Sequence, residues 1–445
     1  MIGRVVKTWW LLAPALVCLV LAGRLNLALL DARTRGRLTA APPLVNAPPL
    51  VVFTTVALGG FRGILADALW LRVTTLQEQG RYFEIAQLAD WISKLEPDVD
   101  AVWTFHAWNM AYNISYLFPE PADRWRWVQN GIRLLRDEGL VYNPASPLIY
   151  RELGYIYQYK IGNIFDKAHW YYKFQLAADM DPLMPGGRPP PDESPAWTIL
   201  RNHYRLDPDV VRSVDETYGP LDWRLPDTHA LYWADQGRRL AWADPKELAV
   251  CERMVYQCLT QSFRAGRLLF DAGRGLYATT PYLELLPRVR QAYEEILSTR
   301  DQPVFHNAYA NFLAEAVMML ATFNREAEAR SLYDDLMRRY PREDSQDSFE
   351  KFIFRSLVRD IEHTPALRVG GLIEGMFYQS MVWASLGEEP RAQGFDAIAR
   401  LLWREYMRTL TRPDLVKTSG LPPVEELRRR AWERWTAEHP VPGPG

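Results

Sequence analysis

The stretch that decides the fold is FHNAYANFLAEAVMMLATFNREAEARSLYDDLMRRYP, residues 305–341. Apolar residues recur in it every three or four positions, the spacing that places them on one face of an α-helix. The pattern is interrupted at Phe323-Asn324 and ends at Tyr340-Pro341, because the residue before a proline disfavours helical backbone angles. The stretch therefore predicts two antiparallel helices joined by a short turn, each with an apolar face to bury.

The same arrangement recurs along most of the chain from residue 60 onward. Helical stretches alternate with short breaks, which are Gly80-Arg81, Pro119-Glu120-Pro121 and Gly162-Asn163. The pairs end at proline steps, which are Glu96-Pro97, Asn143-Pro144 and Asp181-Pro182. Another pair is predicted over 370–407, around Gly387. Serial helix pairs are typical of a solenoid, so we expect an all-α fold of antiparallel helix pairs stacked side by side.

The helix pairs resemble tetratricopeptide repeats. In 305–341, Ala329 stands at the small-residue position of the second helix, and Tyr333 stands at the aromatic position four residues later. Pro341 matches the terminal proline of the repeat, and residues 148–182 match the pattern in part. The resemblance implies a TPR-like solenoid, in which the first helices of successive pairs line a concave groove.

Three further stretches resemble membrane-anchored repeat proteins of poorly characterised bacterial families. They are GGFRGILADALWLR (59–72), LADWISKLEPD (88–98) and FHAWNMAYNIS (105–115). This second resemblance supports a repeat architecture attached to a membrane and implies no activity.

Composition and the positions of helix-breaking residues divide the chain into six segments. They are a signal-anchor or transmembrane segment (1–38), a Pro-rich and apolar lead-in (39–59), an N-terminal TPR-like array (60–182), an irregular linker or insertion (183–225), a C-terminal TPR-like array (226–410), and a short helix with a frayed tail (411–445). The linker begins with LMPGGRPPPDESPA (183–196), which disfavours a helix. We expect its backbone to be exposed, or alternatively docked across the groove as a lid. A long helix is predicted over 246–270.

The N-terminal apolar run is WWLLAPALVCLVLAG (9–23), continued after Arg24 by LNLALL (25–30). About 20 apolar residues span a bilayer, and Arg24 can snorkel to the interface because its side chain is long. The alternatives are a cleaved signal peptide and a buried helix of a soluble protein. The favoured interpretation is a single-pass N-terminal anchor in the lipid bilayer, with the body on the extracytoplasmic side.

Composition and motifs exclude several classes of function. The chain has 52 basic and 54 acidic residues, whereas nucleic-acid-binding proteins usually carry a basic excess, so we expect no nucleic-acid partner. The histidines and cysteines do not show metal-binding spacings, and no Walker loop, nucleophile elbow or dinucleotide fingerprint occurs. We therefore expect a protein that is not an enzyme and has no catalytic residues, metal or cofactor.

Polar residues on the predicted first helices form the candidate partner-binding groove. On one helix His106, Asn109 and Asn113 project within about 60° of one another. The other candidates are Arg151, Tyr155, Gln158, His306, Asn307 and Asn311. Asparagine side chains can hold a peptide backbone by paired hydrogen bonds. The alternative is that these groups satisfy hydrogen bonds between helices in an aromatic core.

The leading functional hypothesis is a membrane-anchored helical-repeat scaffold that binds another protein in a membrane-associated complex. The 17 tryptophans support an alternative from a different class, a glycan-binding or glycan-active α/α helical protein with Trp-rich surfaces. A glycosidase would also need two carboxylates about 5–10 Å apart across a cleft. Packing between helices is a further explanation for the tryptophans.

Overall fold

The computed structural model describes residues 61–341, 348–357, 366–409 and 421–439, together with scattered residues between 14 and 32. Most of the described residues are helical, and a two-stranded hairpin is the exception among them. The all-α class predicted from the apolar periodicity is therefore confirmed.

The chain divides into two compact units. The first comprises the described residues up to Gln261 together with Leu268–Thr279. The second comprises Ser262–Arg267 and the described residues from Thr280 onward. The sequence pattern placed the division at 183–225, whereas the structure includes that segment in the first unit.

The first unit consists mainly of α-helices. The helices that begin in it are α1 (Phe61–Glu78), α2 (Tyr82–Leu95), α3 (Asp100–Trp108), α4 (Pro121–Arg133), α5 (Pro147–Tyr155), α6 (His169–Met180), α7 (Ala196–Tyr204), α8 (Pro208–Tyr218), α9 (Pro226–Leu240) and α10 (Pro245–Ala265). Three of them continue directly as π-helices, which are π1 (Asn109–Ile114) after α3, π2 (Leu134–Gly139) after α4 and π3 (Ile156–Ile161) after α5. Single helical turns occupy Leu140–Tyr142, Pro185–Gly187 and Ala241–Ala243.

A hairpin and a second set of helices follow α10. The strands are β1 (Arg267–Asp271) and β2 (Leu276–Thr280). The helices are α11 (Leu286–Thr299), α12 (Pro303–Thr322), α13 (Glu326–Arg339), α14 (Phe349–Leu357), α15 (Ala366–Ser385), α16 (Glu389–Thr409) and α17 (Val424–Glu438), with a single turn at Leu283–Leu285.

The predicted helix ends are confirmed where glycine or proline specifies them. The turn between α1 and α2 falls at Gly80-Arg81, and Gly80 has a φ of 68°, a left-handed angle that favours glycine. Helix α2 ends before Glu96-Pro97, and α13 ends before Tyr340-Pro341. The pair predicted over 305–341 is α12 with α13, and the pair predicted around Gly387 is α15 with α16.

Three helix pairs stack at the start of the first unit. They are α1 with α2, α3–π1 with α4–π2, and α5–π3 with α6. Between α3–π1 and α4 the backbones approach closely, because a Cβ atom at Gly131 would lie only 2.8 Å from the carbonyl oxygen of Ala107. Close approach of this kind makes the packing of the pair sensitive to a single added methyl group.

The turns within the three pairs lie along one edge of the stack. We call this the turn edge and define it as residues 79–83, 116–121 and 162–170. The ring of Phe83 lies 6.2 Å from that of Phe118. Arg124 then joins the second turn to the third, since its Nε donates to the Phe118 carbonyl at 2.6 Å and its Nη1 to Asp166 Oδ1 at 3.1 Å.

The connections between the pairs lie at the opposite ends of the same helices. We call this second side the proline edge, residues 96–100 and 143–147. Asn143 Nδ2 donates to the Pro97 carbonyl at 2.8 Å, which joins one connection to the next.

Helix α9 runs antiparallel to α5–π3. His229 in the first turns of α9 stacks on Tyr157 of π3 at 5.1 Å, while Trp233 further along α9 lies 6.0 Å from Tyr150 near the start of α5. The end of α9 and the exposed Trp242 that follows it therefore lie toward the proline edge.

The segment predicted as an irregular linker, 183–225, is instead packed and partly helical, since it contains α7 and α8. Met184 is fully buried, and the Trp223 amide donates to the Gly187 carbonyl at 2.9 Å. Gly187 has a φ of 74°, and a Cβ atom there would overlap the Asp222 carboxylate. Within 183–196, the stretch expected to be exposed, Met184 and Gly187 are buried, whereas Pro185, Gly186, Arg188 and 191–193 are exposed.

The helix predicted over 246–270 ends at Ala265, and the chain continues as β1. Leu268 is buried, and its amide donates to Asp222 Oδ2 at 3.2 Å. Arg224 Nη2 donates to the Leu268 carbonyl at 3.0 Å. These bonds from the loop before α9 take up both backbone groups of Leu268, which stabilises an extended strand there in place of another helical turn.

The second unit has its own apolar core. Its main cluster joins α14, α15, α16 and α17, and its buried members are Phe354, Val369, Ile373, Phe377, Ile398, Ala399, Leu402, Tyr406, Leu421, Leu427 and Ala431. The short helix predicted within 411–445 is α17. The Pro/Gly tail that was predicted to fray, VPGPG (441–445), lies outside the described residues.

The predicted N-terminal span, residues 9–30, falls partly outside the described residues. Those described between 14 and 32 are helical and exposed. Among the residues that the structure describes, no helix has both the length and the apolar character needed to cross a membrane.

Candidate functional site

The most distinctive surface of the first unit is a row of aromatic rings on α3–π1 and α5–π3. We call it the aromatic face and define it as Trp108, Tyr112, Tyr155 and Tyr159. Trp108 stacks on Tyr112 at 5.7 Å, Tyr112 lies 6.2 Å from Tyr155, and Tyr155 lies 4.5 Å from Tyr159. All four side chains retain solvent exposure, so the row forms a continuous amphipathic surface across two neighbouring first helices.

The π-helices place two members of this row. Tyr112 lies in π1 and Tyr159 in π3, where the Ser115 amide bonds to the Met110 carbonyl and the Gly162 amide to the Tyr157 carbonyl. A π-helix bonds residue i to i+5, so it turns the following side chains away from the α-helical register. Such segments are frequent at functional sites.

Polar atoms lie unpaired beneath the aromatic face. The Tyr112 hydroxyl and Gln158 Oε1 are buried and have no hydrogen-bond partner within the described part of the chain. Burial raises the pKa of Tyr112, and the neighbouring Glu152 carboxylate adds to the effect. The Lys160 ammonium lies 5.3 Å from the centre of the Tyr112 ring.

Glu152 and Arg151 connect the face to α10. Arg151 Nε lies 2.8 Å from Glu247 Oε2. Glu152 is buried, and burial raises its pKa; the positive charge of Arg151 opposes this rise and the Glu247 charge adds to it. The Glu247 carboxylate, for its part, is held by its ion pair with Arg151.

Two residues predicted for the groove lie beneath the surface. Asn109 is fully buried, and its Nδ2 donates to the Tyr82 carbonyl at 3.1 Å. His106 is also buried, and neither of its ring nitrogens has a partner among the described residues. Burial lowers the pKa of His106 to about 4. The hydrogen bond of Asn109 favours the alternative that it joins helices.

The other predicted residues of the first unit lie at or near the aromatic face. Tyr155 is part of it, Gln158 and Arg151 flank it, and Asn113 Nδ2 donates to Asn109 Oδ1 at 3.0 Å. Asn113 thus extends the hydrogen-bonded chain that starts at the Tyr82 carbonyl. The structure brings this set together on the first helices of the second and third pairs.

The remaining predicted residues belong to the second unit. His306 Nε2 lies 2.6 Å from Asp301 Oδ1, and its Nδ1 lies 3.2 Å from the Tyr340 hydroxyl. Asn307 and Asn311 are exposed, one turn apart on α12. They form a separate polar strip on that unit.

Sequence reasoning missed Tyr112, Glu152 and Tyr159. The signal available was a pair of aromatic residues four apart on each first helix, at Trp108/Tyr112 and at Tyr155/Tyr159. Residues four apart lie on one face of a helix. Which face is exposed depends on the neighbouring pair, so the signal does not separate surface from core.

The Trp-rich stretches of the sequence contain Trp103, Trp108, Trp125, Trp127, Trp170, Trp223, Trp233 and Trp242, and half of these side chains are buried. Buried members of that set are Trp103, Trp125, Trp223 and Trp233. Trp242 is 83% exposed and Trp170 is also exposed, but Trp108 alone of the exposed ones belongs to the aromatic face. Packing between helices therefore accounts for the buried half of this set.

A second buried acidic group lies at the start of α9. Burial raises the pKa of Asp227 to about 7, and the charge of Lys173 opposes the rise. Among the described residues, no group of three or more His, Cys, Asp or Glu side chains converges where a metal ion could bind.

No protein-family model matches this chain, and neither curated proteins nor solved structures gave a significant match. Inference about function accordingly starts from the geometry of the aromatic face.

Proposed function

We propose that the protein is a membrane-anchored, TPR-like helical-repeat scaffold that binds a segment of another protein on the aromatic face of its first unit. The partner would belong to the same membrane-associated complex. The observation that carries the proposal is the row Trp108–Tyr112–Tyr155–Tyr159, in which Trp108 is exposed and the three tyrosines are partly exposed across two first helices.

The chemistry of the row suits a protein ligand. Tyrosine and tryptophan are enriched in protein interfaces, because they bury a large apolar area with few rotatable bonds and keep one polar group. The rings contact one another and two of them belong to π-helices, so little side-chain freedom remains to be lost on binding. The unpaired Tyr112 hydroxyl and Gln158 oxygen would gain partners if the rings shift on binding.

The membrane part of the proposal rests on the sequence of the N-terminal run 9–30. Its length matches the hydrocarbon core of a bilayer, and Trp9 and Trp10 stand where interfacial aromatic residues occur. Anchoring would confine the scaffold to partners at the same surface and raise their effective concentration. In this proposal the body lies on the extracytoplasmic side of the membrane.

One observation favours a second candidate, a glycan-active protein. Glu152 has a raised pKa and lies near a second carboxyl group, Glu247, beside aromatic rings on which a sugar could stack. Glycoside hydrolysis uses a pair of carboxyl groups, one of which has a raised pKa. The scaffold is preferred because Glu247 is bound to Arg151 and Glu152 is buried. Hydrolysis of an oligosaccharide panel that Glu152→Gln abolishes would reverse this preference.

The scaffold proposal is tested by co-purification from native membranes. Full-length protein with Tyr155→Ser and Tyr159→Ser should lose a protein that co-purifies with the wild type, because aromatic residues at an interface centre commonly contribute about 2 kcal/mol or more each. Trp91→Ser is the matched control, since Trp91 is exposed on α2, a second helix outside the face.

The outcome depends on comparing the two variants. Loss from the tyrosine variant with retention by the Trp91 variant supports the aromatic face. Equal retention by both variants, or equal loss from both at unchanged helicity, contradicts it.

A further inference from the structure

The turn edge of the first unit carries large apolar side chains that the fold leaves in water. Phe165 is 81% exposed and Ile164 is 73% exposed, side by side in the turn after π3. The other exposed members are Phe83, Tyr116, Leu117 and Trp170. A Phe or Ile side chain left in water forgoes the favourable free energy that its burial would provide.

These side chains protrude from a turn that is held in place. Asp166, the next residue after Phe165, accepts from Lys160 Nζ at 2.6 Å and from the Ala168 amide at 2.8 Å. The Ile164 amide donates to the Asn163 side chain at 2.6 Å. The exposure of Ile164 and Phe165 is therefore imposed by an ordered backbone.

The three turns present their apolar groups along the same edge. Arg124 joins the second and third turns through the Phe118 carbonyl and the Asp166 carboxylate, and Phe83 contacts Phe118. The surface is thus a ridge of loop tips. A protruding ridge can insert into a lipid interface. A peptide, by contrast, normally binds in a groove.

We propose that the turn edge docks on the lipid bilayer, with Ile164 and Phe165 inserted among the headgroups and upper acyl chains. The mixture of Phe, Tyr, Trp and aliphatic tips is the composition found at membrane interfaces. Lys167 is exposed beside Phe165 and could contact lipid phosphates.

The occupant follows from the N-terminal chain, which the structure describes only in part. The proposal rests on the anchor in the proposed function, the apolar run 9–30. Residues 31–60 connect that run to α1 and could span up to roughly 100 Å if extended. Helix α1 is about 27 Å long and ends at the turn edge. The edge can therefore reach the bilayer that the run enters. Docking of the edge would then hold the first unit with a fixed face toward the membrane.

The test compares two equally exposed positions at opposite edges. An environment-sensitive dye is attached to full-length Phe165→Cys or, as control, Trp242→Cys, each in a Cys18→Ser background because Cys251 and Cys258 are buried. The protein is reconstituted in phosphatidylcholine–phosphatidylglycerol vesicles. The dye at 165 should shift to the blue and be quenched by lipids that carry a shallow quencher, whereas the dye at 242 should report water.

Each outcome bears on the proposal. Vesicle flotation with water-like emission at both positions overturns lipid docking and leaves the anchor intact. Blue-shifted emission at both positions overturns the assignment to the turn edge. A shift at 165 that requires an added membrane protein assigns the ridge to a protein partner and overturns the lipid proposal. Failure to float overturns both the anchor and the docking.

Discussion

The Lys160 ammonium donates to the Asp166 carboxylate at 2.6 Å, and both side chains are buried. The pair joins the last turn of π3 to the start of the turn edge. Asp166 also receives Arg124 Nη1 at 3.1 Å, so one carboxylate connects two helix pairs. The aromatic face and the exposed ridge both depend on this connection, because Tyr159 lies directly before Lys160 and Phe165 directly before Asp166.

Asp166→Asn should destabilise the first unit. Removing one partner of a buried ion pair leaves an uncompensated charge and costs about 3–5 kcal/mol. The measurement is the free energy of urea unfolding. Asp123→Asn serves as control, since Asp123 pairs with Arg126 on the surface and its loss should cost less than about 1 kcal/mol. Equal costs in the two variants would show that the Asp166 contacts do not stabilise the fold.

The Asp166 carboxylate also makes a contribution to folding stability that depends on pH. Burial opposes ionisation of Asp166, but the Lys160 hydrogen bond, the Ala168 amide and the Arg124 charge outweigh it, so the pKa lies below 3.8. A lowered pKa contributes stability above the unfolded value that is lost as the pH falls through the folded value. The stability difference between wild type and Asp166→Asn should therefore shrink below pH 3.8. A difference that stays constant with pH would contradict this assignment.

Asn109→Ala should cost more stability than Asn113→Ala. Asn109 is fully buried and its Nδ2 donates to the Tyr82 carbonyl of α2, so its loss removes a hydrogen bond between helices at a cost of about 0.5–1.5 kcal/mol. Asn113 only extends that bond. Thermal unfolding of both variants measures the difference. Loss of partner binding from Asn109→Ala at wild-type stability would instead assign Asn109 to the groove.

The hydrogen-bonding role of Asn109 was an open alternative at the level of sequence. Its spacing to His106 and Asn113 is correct for one helix face, but the acceptor lies 27 residues away at Tyr82. Helical periodicity indicates which residues share a face and does not indicate what covers that face. Helix ends were easier to predict from the sequence, because Gly80 and Pro97 determine the local backbone conformation by themselves.

Helical periodicity did not predict the hairpin or the helices within 183–225. Strand β1 depends on Asp222 and Arg224, more than 40 residues earlier in the chain. By contrast, α8 had a local signal, since Asp207 caps its first turn through the Asp209 amide and Pro208 stands at the first helical position. The prolines of 189–191 outweighed that signal in the linker prediction.

Asp227→Asn should change the pH dependence of stability. Burial raises the pKa of Asp227 from 3.8 to about 7, so the folded state binds a proton that the unfolded state releases. Stability is then full below about pH 4 and declines as the pH rises to about 7, by at most about 4 kcal/mol. The variant should lack this decline and exceed the wild type in stability at pH 8.

Urea unfolding across pH 4–8 measures the effect of Asp227. Asp209→Asn is the matched control, an exposed aspartate in the first turn of α8. A wild-type slope retained in Asp227→Asn would assign the titration to another group.

Gly131→Ala should loosen the second helix pair. Its Cβ would lie 2.8 Å from the Ala107 carbonyl oxygen and 3.3 Å from Ala111 Cβ, so α4 must move at a cost of about 1–3 kcal/mol. Gly371→Ala is the control, because Gly371 lies within α15 with open space around it. There alanine should add up to about 1 kcal/mol through helix propensity. Calorimetry that finds both changes stabilising would contradict the close approach at Gly131.

The most direct test of the scaffold proposal is site-specific photo-cross-linking in native membranes. A benzophenone amino acid replaces Tyr159 on the aromatic face or, as control, the exposed Trp91 on α2 of the full-length chain. The proposal predicts a discrete adduct with another protein from position 159 and none from position 91. No adduct from position 159, or the same adducts from both positions, would contradict partner binding on the aromatic face.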